Sequence, residues 1–221
     1  MEKTNDKTRI IDDVADEVRE RLEGEGSGHD WWHVHRVRNL AKRIAAEEGA
    51  DPHVAELAAL LHDIADWKFH GGDDTAGPRA SREVLESLGA DAATIEHVCD
   101  IVATISFKGA GVTIPMKTLE GRVVQDADRL EALGAIGIGR AFAYGGHKHR
   151  QMHVPGAAPV MHATAEAYKK SEGTTINHFH EKLLLLKDRM NTAAGRRIAE
   201  ERHRYMEDFL LRFDREWEGA S

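Results

Sequence analysis

The pair His62-Asp63 is the strongest candidate for a functional site in this 221-residue chain, because of its side-chain types and their spacing. The pair lies at the end of the most apolar helical stretch, where an ionisable group is costly unless it is paired or bound to a cation. Asp66 follows His62 by four residues and Asp63 by three, so helical geometry places the three side chains in one sector. An imidazole and two carboxylates at a buried helix end need a positive partner, and a divalent metal ion supplies one.

Other polar residues of the same character lie in two further helical stretches. His33 is on the inward stripe of its helix, with Arg36 one turn later. Asp126 and Asp128 interrupt an apolar pattern, and Asp128 shares an apolar face with Val124, four residues earlier. One histidine, one His-Asp pair and one remote aspartate form a mixed nitrogen and oxygen ligand set, which suits Mn²⁺, Fe²⁺ or Zn²⁺ with open positions for water or substrate.

Each of these residues, taken alone, also has a structural explanation. A buried histidine is more often a hydrogen-bonded core residue than a ligand, and we interpret His97 in that way. Asp30 and Asp51 are explained as helix N-caps. His33, His62, Asp63 and Asp128 nevertheless match an ordered pattern when they are taken together, and this pattern favours a metal site.

The elements that must position these residues are helices, because apolar residues recur at helical spacing along nearly every long segment. Capping residues and helix-ending glycines give the boundaries. The predicted helices cover about residues 10–22, 30–48, 51–64, 79–88, 91–105, 118–130 and 177–217, the last with a break at 191–195 where Thr192 caps a second helix. Only residues 112–116 have an extended pattern, and residues 69–78 and 145–159 are predicted as loops that border a site. The pattern predicts an all-α bundle, a single domain over 1–221 with a long C-terminal helical segment at about 177–218.

Composition excludes several functional classes. The formal net charge of −8 argues against nucleic acid as a partner. The single cysteine, Cys99, cannot form an intramolecular disulfide, which is typical of a reducing compartment. No apolar run approaches the roughly 18 residues of a membrane span, and the polar N-terminus is unlike a secretory signal. We therefore expect a cytoplasmic protein that has no membrane partner.

The order His … His-Asp … Asp resembles the HD-domain superfamily of metal-dependent phosphohydrolases. Residues 29–37 (HDWWHVHRV) resemble the first motif of the family, residues 60–66 (LLHDIAD) its defining doublet, and residues 125–130 (QDADRL) its closing motif. The closing motif makes Asp128, rather than Asp126, the ligand. The resemblance covers about residues 25–135. Residues 134–140 (GAIGIGR) and the His/Lys-rich loop further resemble a compact bacterial branch of nucleotide pyrophosphohydrolases.

This resemblance implies a helical bundle with one divalent metal ion at its centre. Members with two ions use extra histidines between the doublet and the last aspartate, an interval where this chain has only His70 and His97. Mn²⁺ is the first choice of ion, with Mg²⁺, Fe²⁺, Co²⁺, Ni²⁺ and Zn²⁺ open. The implied ligands are His33, His62, Asp63 and Asp128.

Resemblance and helical spacing agree on Asp66 as the residue that orients or deprotonates the attacking water. Phosphoryl transfer also needs cations on the non-bridging oxygens. The candidates are Arg36 and Lys68 beside the reaction, and Lys108, Arg129, Lys148 and His149 for substrate binding.

A nucleoside triphosphate, cleaved to monophosphate and pyrophosphate, is the expected substrate. Three alternatives stay open: a 5′-nucleotidase, a cyclic-nucleotide phosphodiesterase, and a non-catalytic metal-dependent nucleotide sensor. The amphipathic tail at 177–217 either pairs with a second subunit as a homodimer or packs on its own domain, and the sequence favours neither.

Overall fold

A computed structural model describes residues 2–24, 30–65, 73, 75–105, 115–161 and 173–220, with side chains from residue 6 onward. The regular elements in these ranges are all helical, which confirms the predicted all-α class. They are α1 (Glu2–Leu22), α2 (Trp31–Glu48), α3 (Pro52–Leu61), α4 (Ala76–Ser87), α5 (Ala92–Thr104), α6 (Leu119–Glu131), α7 (Gly134–His147), α8 (Thr175–Glu181) and α9 (Ala193–Trp217), with 3₁₀ turns at Leu183–Leu185 and Lys187–Arg189. None of the described helices has the length and apolar character needed to span a membrane.

Helices α2 and α3 form an antiparallel pair whose ends are set by the predicted capping residues. The Asp30 carboxylate accepts a hydrogen bond from the His33 backbone N–H at 2.9 Å. Gly49 ends α2 in the left-handed conformation, at φ 75°, which glycine adopts without strain. The Asp51 carboxylate then accepts from the His53 backbone N–H at 2.8 Å, and Pro52 opens α3. These local signals bring the chain back along α2 after a very short connection.

The chain divides into two compact units at Asp128, within α6. Unit 1 contains the described residues up to Asp128, and unit 2 those from Arg129 onward. In unit 1, α3 is the central helix, since Leu57, Leu60 and Leu61 have no exposed surface. Helices α1, α2 and α5 pack around it. The prediction of a single domain over 1–221 stays a prediction.

Unit 2 is built from α7, α8 and α9 around an aromatic core. The rings of Phe179 and Phe209 are stacked with centroids 5.9 Å apart, and Phe142 lies 6.1 Å from each of them. The predicted cap at Thr192 is confirmed, because its hydroxyl accepts from the Gly195 backbone N–H at 2.9 Å. The aromatic side chains of α8 and α9 therefore pack against one another and against α7 within this unit. The predicted role of these helices in a homodimer stays a prediction.

Helix α7 is the main element that the sequence analysis missed, and the predicted loop at 145–159 was wrong for its first three residues. Five glycines lower the helical propensity of this segment. Packing accounts for three of them, since a side chain at Gly134 would meet Arg202, one at Gly137 would meet the Ala132 backbone and one at Gly145 would meet Thr175. Likewise α4 begins at Ala76, inside the predicted loop at 69–78. Of the extended segment at 112–116, only residues 115 and 116 are described.

Candidate metal centre

The four predicted metal ligands lie close together in unit 1 and come from three segments of the chain. His33 lies in the first turn of α2, and its side chain is completely buried. His62 is the C-cap of α3, and Asp63 is in the turn that follows. Asp128 lies on α6. The Asp30 cap fixes the first turn of α2 and the Asp51 cap fixes α3, so the two histidines face each other across the antiparallel pair.

The ligand atoms lie at the separations that a shared ion requires. The Nε2 atoms of His33 and His62 are 3.3 Å apart. Each of these nitrogens is 3.4–3.5 Å from Oδ2 of Asp63 and 3.5–3.8 Å from Oδ1 of Asp128. Two atoms that each lie about 2.1 Å from one ion can be at most about 4.2 Å apart. All of these distances are within that limit. His33, His62 and Asp128 form a group that could hold one metal ion, and Asp63 lies close to both imidazoles of this group.

A backbone carbonyl orients His62 toward this centre. Its Nδ1 lies 2.7 Å from the Ala59 carbonyl oxygen, which accepts the Nδ1 proton. The lone pair of the neutral ring is then on Nε2, which points at the Nε2 of His33. Two ring nitrogens at 3.3 Å need a proton or a metal ion near them. A carbonyl behind a ligating histidine is a common way to fix the ring for metal binding.

The electrostatics of the centre favour a cation. Burial lowers the pKa of His62, but the carboxylates of Asp63 and Asp128 outweigh burial and raise this pKa above its ordinary value. Burial raises the pKa of Asp128, but the hydrogen bond from His33 and the charges of both imidazoles hold this pKa well below its ordinary range. A divalent ion would compete with protons for these imidazole and carboxylate groups, because the ligands of a metal ion must be deprotonated.

The remaining predicted site residues are placed less completely. Asp66, Lys68 and Lys108 lie outside the described residues. Arg36 is half-buried on α2, one turn after His33. The Arg129 guanidinium donates to the backbone carbonyl of Arg189, which is a structural contact within unit 2. The catalytic and substrate-binding roles of all five stay predictions.

Lys148 and His149, the other predicted substrate-binding residues, follow α7 in unit 2. The Lys148 Nζ lies 5.7 Å from the centroid of the Tyr144 ring. His149 has a φ of 54° in the turn that ends the helix. Their predicted role in substrate binding is not tested by these contacts.

One further pair of unit 1 residues was missed by the sequence analysis. The Arg38 guanidinium on α2 donates to Glu56 on α3 at 3.0 Å, and Lys42 lies 3.5 Å from the same carboxyl oxygen. Glu56 is only 8% exposed, within the most apolar helix, and this buried charge was the signal that could have revealed the pair. His97, by contrast, is hydrogen-bonded as predicted, because its Nε2 lies 2.9 Å from the Thr118 hydroxyl, but it is half-buried rather than in the core.

Comparison with known proteins agrees with the fold and the centre. A family model described as the HD domain matches residues 31–133, a range that contains all four clustered residues. YpgQ of Bacillus subtilis is 38% identical over 206 residues, which is 91% of each chain. The chain belongs to the HD-domain superfamily, a family of metal-dependent phosphohydrolases.

Solved structures give the same assignment over nearly the whole chain. An HD-superfamily hydrolase from Bacillus thuringiensis matches with a TM-score of 0.75 and 42% identity, over 96% of this chain and 98% of the other. A protein from Lactobacillus plantarum matches with a TM-score of 0.83 and 35% identity, over the same shares. The structure of B. subtilis YpgQ in complex with ADP matches with a TM-score of 0.76 and 32% identity, over 96% of each chain.

Proposed function

We propose that this HD-superfamily hydrolase cleaves nucleoside triphosphates to nucleoside monophosphates and pyrophosphate, with Mn²⁺ as the first choice of ion. The observation that carries this proposal is that two buried imidazole Nε2 atoms lie 3.3 Å apart, and each lies 3.4–3.8 Å from two carboxylates. This donor set is suited to a hard or borderline divalent ion that keeps positions open for water and a phosphate oxygen.

The nucleotide part of the proposal is supported by a relative. B. subtilis YpgQ, which shares 38% of its residues with this chain, has been crystallised in complex with ADP. ADP contains the nucleoside, the α-phosphate and the β-phosphate that a triphosphate substrate also has. We therefore infer a nucleotide, rather than a simple phosphate monoester, as the substrate class.

The proposed roles are metal binding for four residues and proton transfer for a fifth. His33, His62, Asp63 and Asp128 would hold the ion, and the Ala59 carbonyl keeps the His62 lone pair directed toward it. A bound divalent ion lowers the pKa of its water and neutralises negative charge on phosphate oxygens. Asp66, four residues after His62, would take the proton of the attacking water.

The cationic residues would neutralise the charge of the phosphates. Arg36, on the same helix as His33, and Lys68 would contact the reacting phosphate. Substrate binding is assigned to four further residues, which are Lys108, Arg129, Lys148 and His149.

The deciding experiment is a nucleotide screen of the purified chain, stripped of metal and then supplied in turn with Mn²⁺, Mg²⁺, Co²⁺ or Zn²⁺. Reaction in ¹⁸O-labelled water, followed by chromatography and mass spectrometry, identifies the products and the phosphorus that water attacks. We expect monophosphate and pyrophosphate, with the label in one of them and no orthophosphate.

Other products would replace the proposal with one of the alternatives. Orthophosphate with a nucleoside would indicate a 5′-nucleotidase, and turnover only of cyclic nucleotides a phosphodiesterase. Tight nucleotide binding without any product would indicate a sensor. A catalytically inactive Asp63→Ala protein serves as the blank for contaminating phosphatases in each assay.

A further inference from the structure

A carboxylate on α6 caps α3 from outside that helix. The Asp51 backbone N–H, at the N-cap of α3, donates to Oε1 of Glu120 at 2.9 Å. In a capping box, a Glu or Gln at the third position of the same helix accepts this hydrogen bond. That position of α3 is Val54, whose side chain has no acceptor. Glu120, in the first turn of α6 and 69 residues after Asp51, therefore supplies the missing half of the capping box from another helix.

The second carboxylate oxygen of Glu120 faces α5. Its Oε2 lies 3.5 Å from Nε2 of His97, and the same ring nitrogen lies 2.9 Å from the Thr118 hydroxyl. The Thr118 hydroxyl accepts from the Gly121 backbone N–H at 3.2 Å, as an N-cap of α6 does. The Glu120 side chain is 15% exposed, so water competes little for these contacts. Directional contacts therefore join the beginning of α6 to the beginning of α3 and to α5.

Helices α3 and α6 each carry a predicted metal ligand near the end opposite to this contact. His62 is the C-cap of α3. Asp128 follows Glu120 along α6 by roughly 12 Å, at 1.5 Å of rise per residue. Its Oδ1 lies 3.5 Å from Nε2 of His33 and 3.8 Å from Nε2 of His62. Because α6 is one continuous helix, these distances depend on where α6 lies along its own axis relative to α3.

Apolar burial holds α6 in unit 1 but does not define this axial position sharply. Three apolar residues of α6 have no exposed surface, namely Val123, Val124 and Ala127. The hydrophobic effect that buries them is non-directional, whereas a hydrogen bond depends on both distance and angle. The Gln125 amide also donates from α6, to the Ile105 carbonyl at 3.4 Å, but Ile105 is the C-cap of α5. The bond from Asp51 to Glu120 is the directional contact that relates α6 to α3.

We propose that Glu120 is a positioning residue of the metal centre. By completing the capping box of α3 from α6, it sets the position of the Asp128 carboxylate against the two imidazoles. Glu120 itself contacts neither the ion nor the substrate in this role. The role rests on metal binding, which the proposed function also requires, and it does not depend on which substrate is cleaved. Loss of the Glu120 acceptor should leave the helices folded but place Asp128 less accurately for a shared ion.

The test is a calorimetric titration of the metal-stripped chain with Mn²⁺, so that its outcome does not depend on hydrolysis. We expect Glu120→Ala to bind Mn²⁺ about tenfold more weakly, as is typical when a group that orients metal ligands is removed. Glu120→Gln keeps an oxygen acceptor for the Asp51 N–H and should bind within about twofold of the natural chain. The matched control is Asp91→Ala, which removes the N-cap of α5, a helix of unit 1 without a predicted ligand. The control should lose stability but keep its Mn²⁺ affinity.

A double-mutant cycle distinguishes positioning from a merely structural role. Asp128→Asn weakens the ligand set directly, and the cycle is measured with Zn²⁺, which generally binds more tightly than Mn²⁺. If Glu120 acts through Asp128, the addition of Glu120→Ala to Asp128→Asn should cost less than about twofold in affinity. A general loss of stability would instead lower the affinity by the same factor in both backgrounds, and this result would overturn the proposal.

Three further results would overturn the proposal: unchanged Mn²⁺ affinity in Glu120→Ala, an equal loss of affinity in Asp91→Ala, and an equal loss in Glu120→Gln. Circular dichroism checks that each variant folds. If Glu120→Ala does not fold, Glu120→Asp replaces it, because its carboxylate is one methylene group too short to reach the Asp51 N–H, and a smaller loss of affinity is then expected. A failed nucleotide screen together with the expected Mn²⁺ affinities would reject the proposed function alone. Absence of metal binding to the natural chain would reject both.

Discussion

The same side chain, histidine, lies in opposite electrostatic surroundings in the two units. In unit 1 the His62 ring has two carboxylates within 3.8 Å, and its pKa is raised in spite of burial. In unit 2 burial lowers the pKa of His178 to about 3, and two cations contribute to the shift. The first environment favours a positive charge on the ring, and the second disfavours it.

This difference shows that a histidine count carries little information about function. The carboxylates on the His62 side come from the turn after α3 and from α6, whereas the cations on the His178 side come from the segment after α7 and the end of α8. Neighbours from distant parts of the sequence therefore decide whether the charged form of an imidazole is favoured or disfavoured.

The largest effect is expected from the removal of Asp63, the unit 1 carboxylate nearest to His62. Asp63→Ala should abolish metal binding and lower the rate of hydrolysis by about 10³-fold or more, since a catalytic ion contributes several kcal/mol to transition-state stabilisation. Metal analysis and a product-release assay check this. Asp66→Ala should keep the metal but lose most turnover. The control is Asp100→Ala, at a side chain that is 67% exposed. Full activity of the Asp63 variant would reject the metal centre.

Metal addition should stabilise unit 1 through its imidazoles. At about 100 times the dissociation constant, an ion that binds only the folded state adds about 2.7 kcal/mol to the free energy of unfolding. Urea unfolding of the chelated chain, with and without Mn²⁺, measures this gain. His33→Gln should remove the gain, whereas His97→Gln should keep it. An unchanged gain in the His33 variant would mean that the ion binds elsewhere.

Replacement of Glu56, a unit 1 carboxylate that is paired with Arg38 and Lys42, should lower stability without changing metal binding, in contrast to replacement of Asp63. Glu56→Gln removes the buried counter-charge of Arg38, whose other carboxylate neighbour, Asp12, is exposed and 3.9 Å away, and it should lower the free energy of unfolding by about 2 kcal/mol. Metal stoichiometry should not change. Glu96→Gln, which removes a 68% exposed partner of Arg82, should lower stability by less than about 1 kcal/mol. Loss of metal in the Glu56 variant would show that the two clusters are coupled.

A further effect is the pH dependence of stability that comes from His178. Its pKa is about 3 in the folded chain and has an ordinary value of 6.5, so the unfolded chain binds more protons between these values. Stability should therefore fall as the pH falls below 6.5, with a slope of at most about 1.4 kcal/mol per pH unit from this residue. His178→Gln should flatten the pH profile of urea unfolding between pH 6.5 and 4.5, and Lys187→Gln should not. An identical slope in the His178 variant would contradict the depressed pKa.

Much of the fold follows from local signals that a sequence contains. Asp30, Gly49, Asp51 and Thr192 cap helices in the structure as predicted, because a cap depends only on hydrogen bonds and backbone conformation within one turn. Helix α7 was not predicted, because its glycines are unfavourable locally, and the packing that requires Gly145 beside Thr175 and Gly134 beside Arg202 is a tertiary feature.

The sequence by itself determined the ligand types, since the order of one histidine, one His-Asp pair and one aspartate is a linear pattern. Only the tertiary structure decided that their atoms meet within 3.8 Å and that the Ala59 carbonyl orients His62. It also decided that Lys182 and Arg150 act on His178. The physical reason is that Coulomb interactions depend on distance in space, and long-range packing sets this distance rather than separation along the chain.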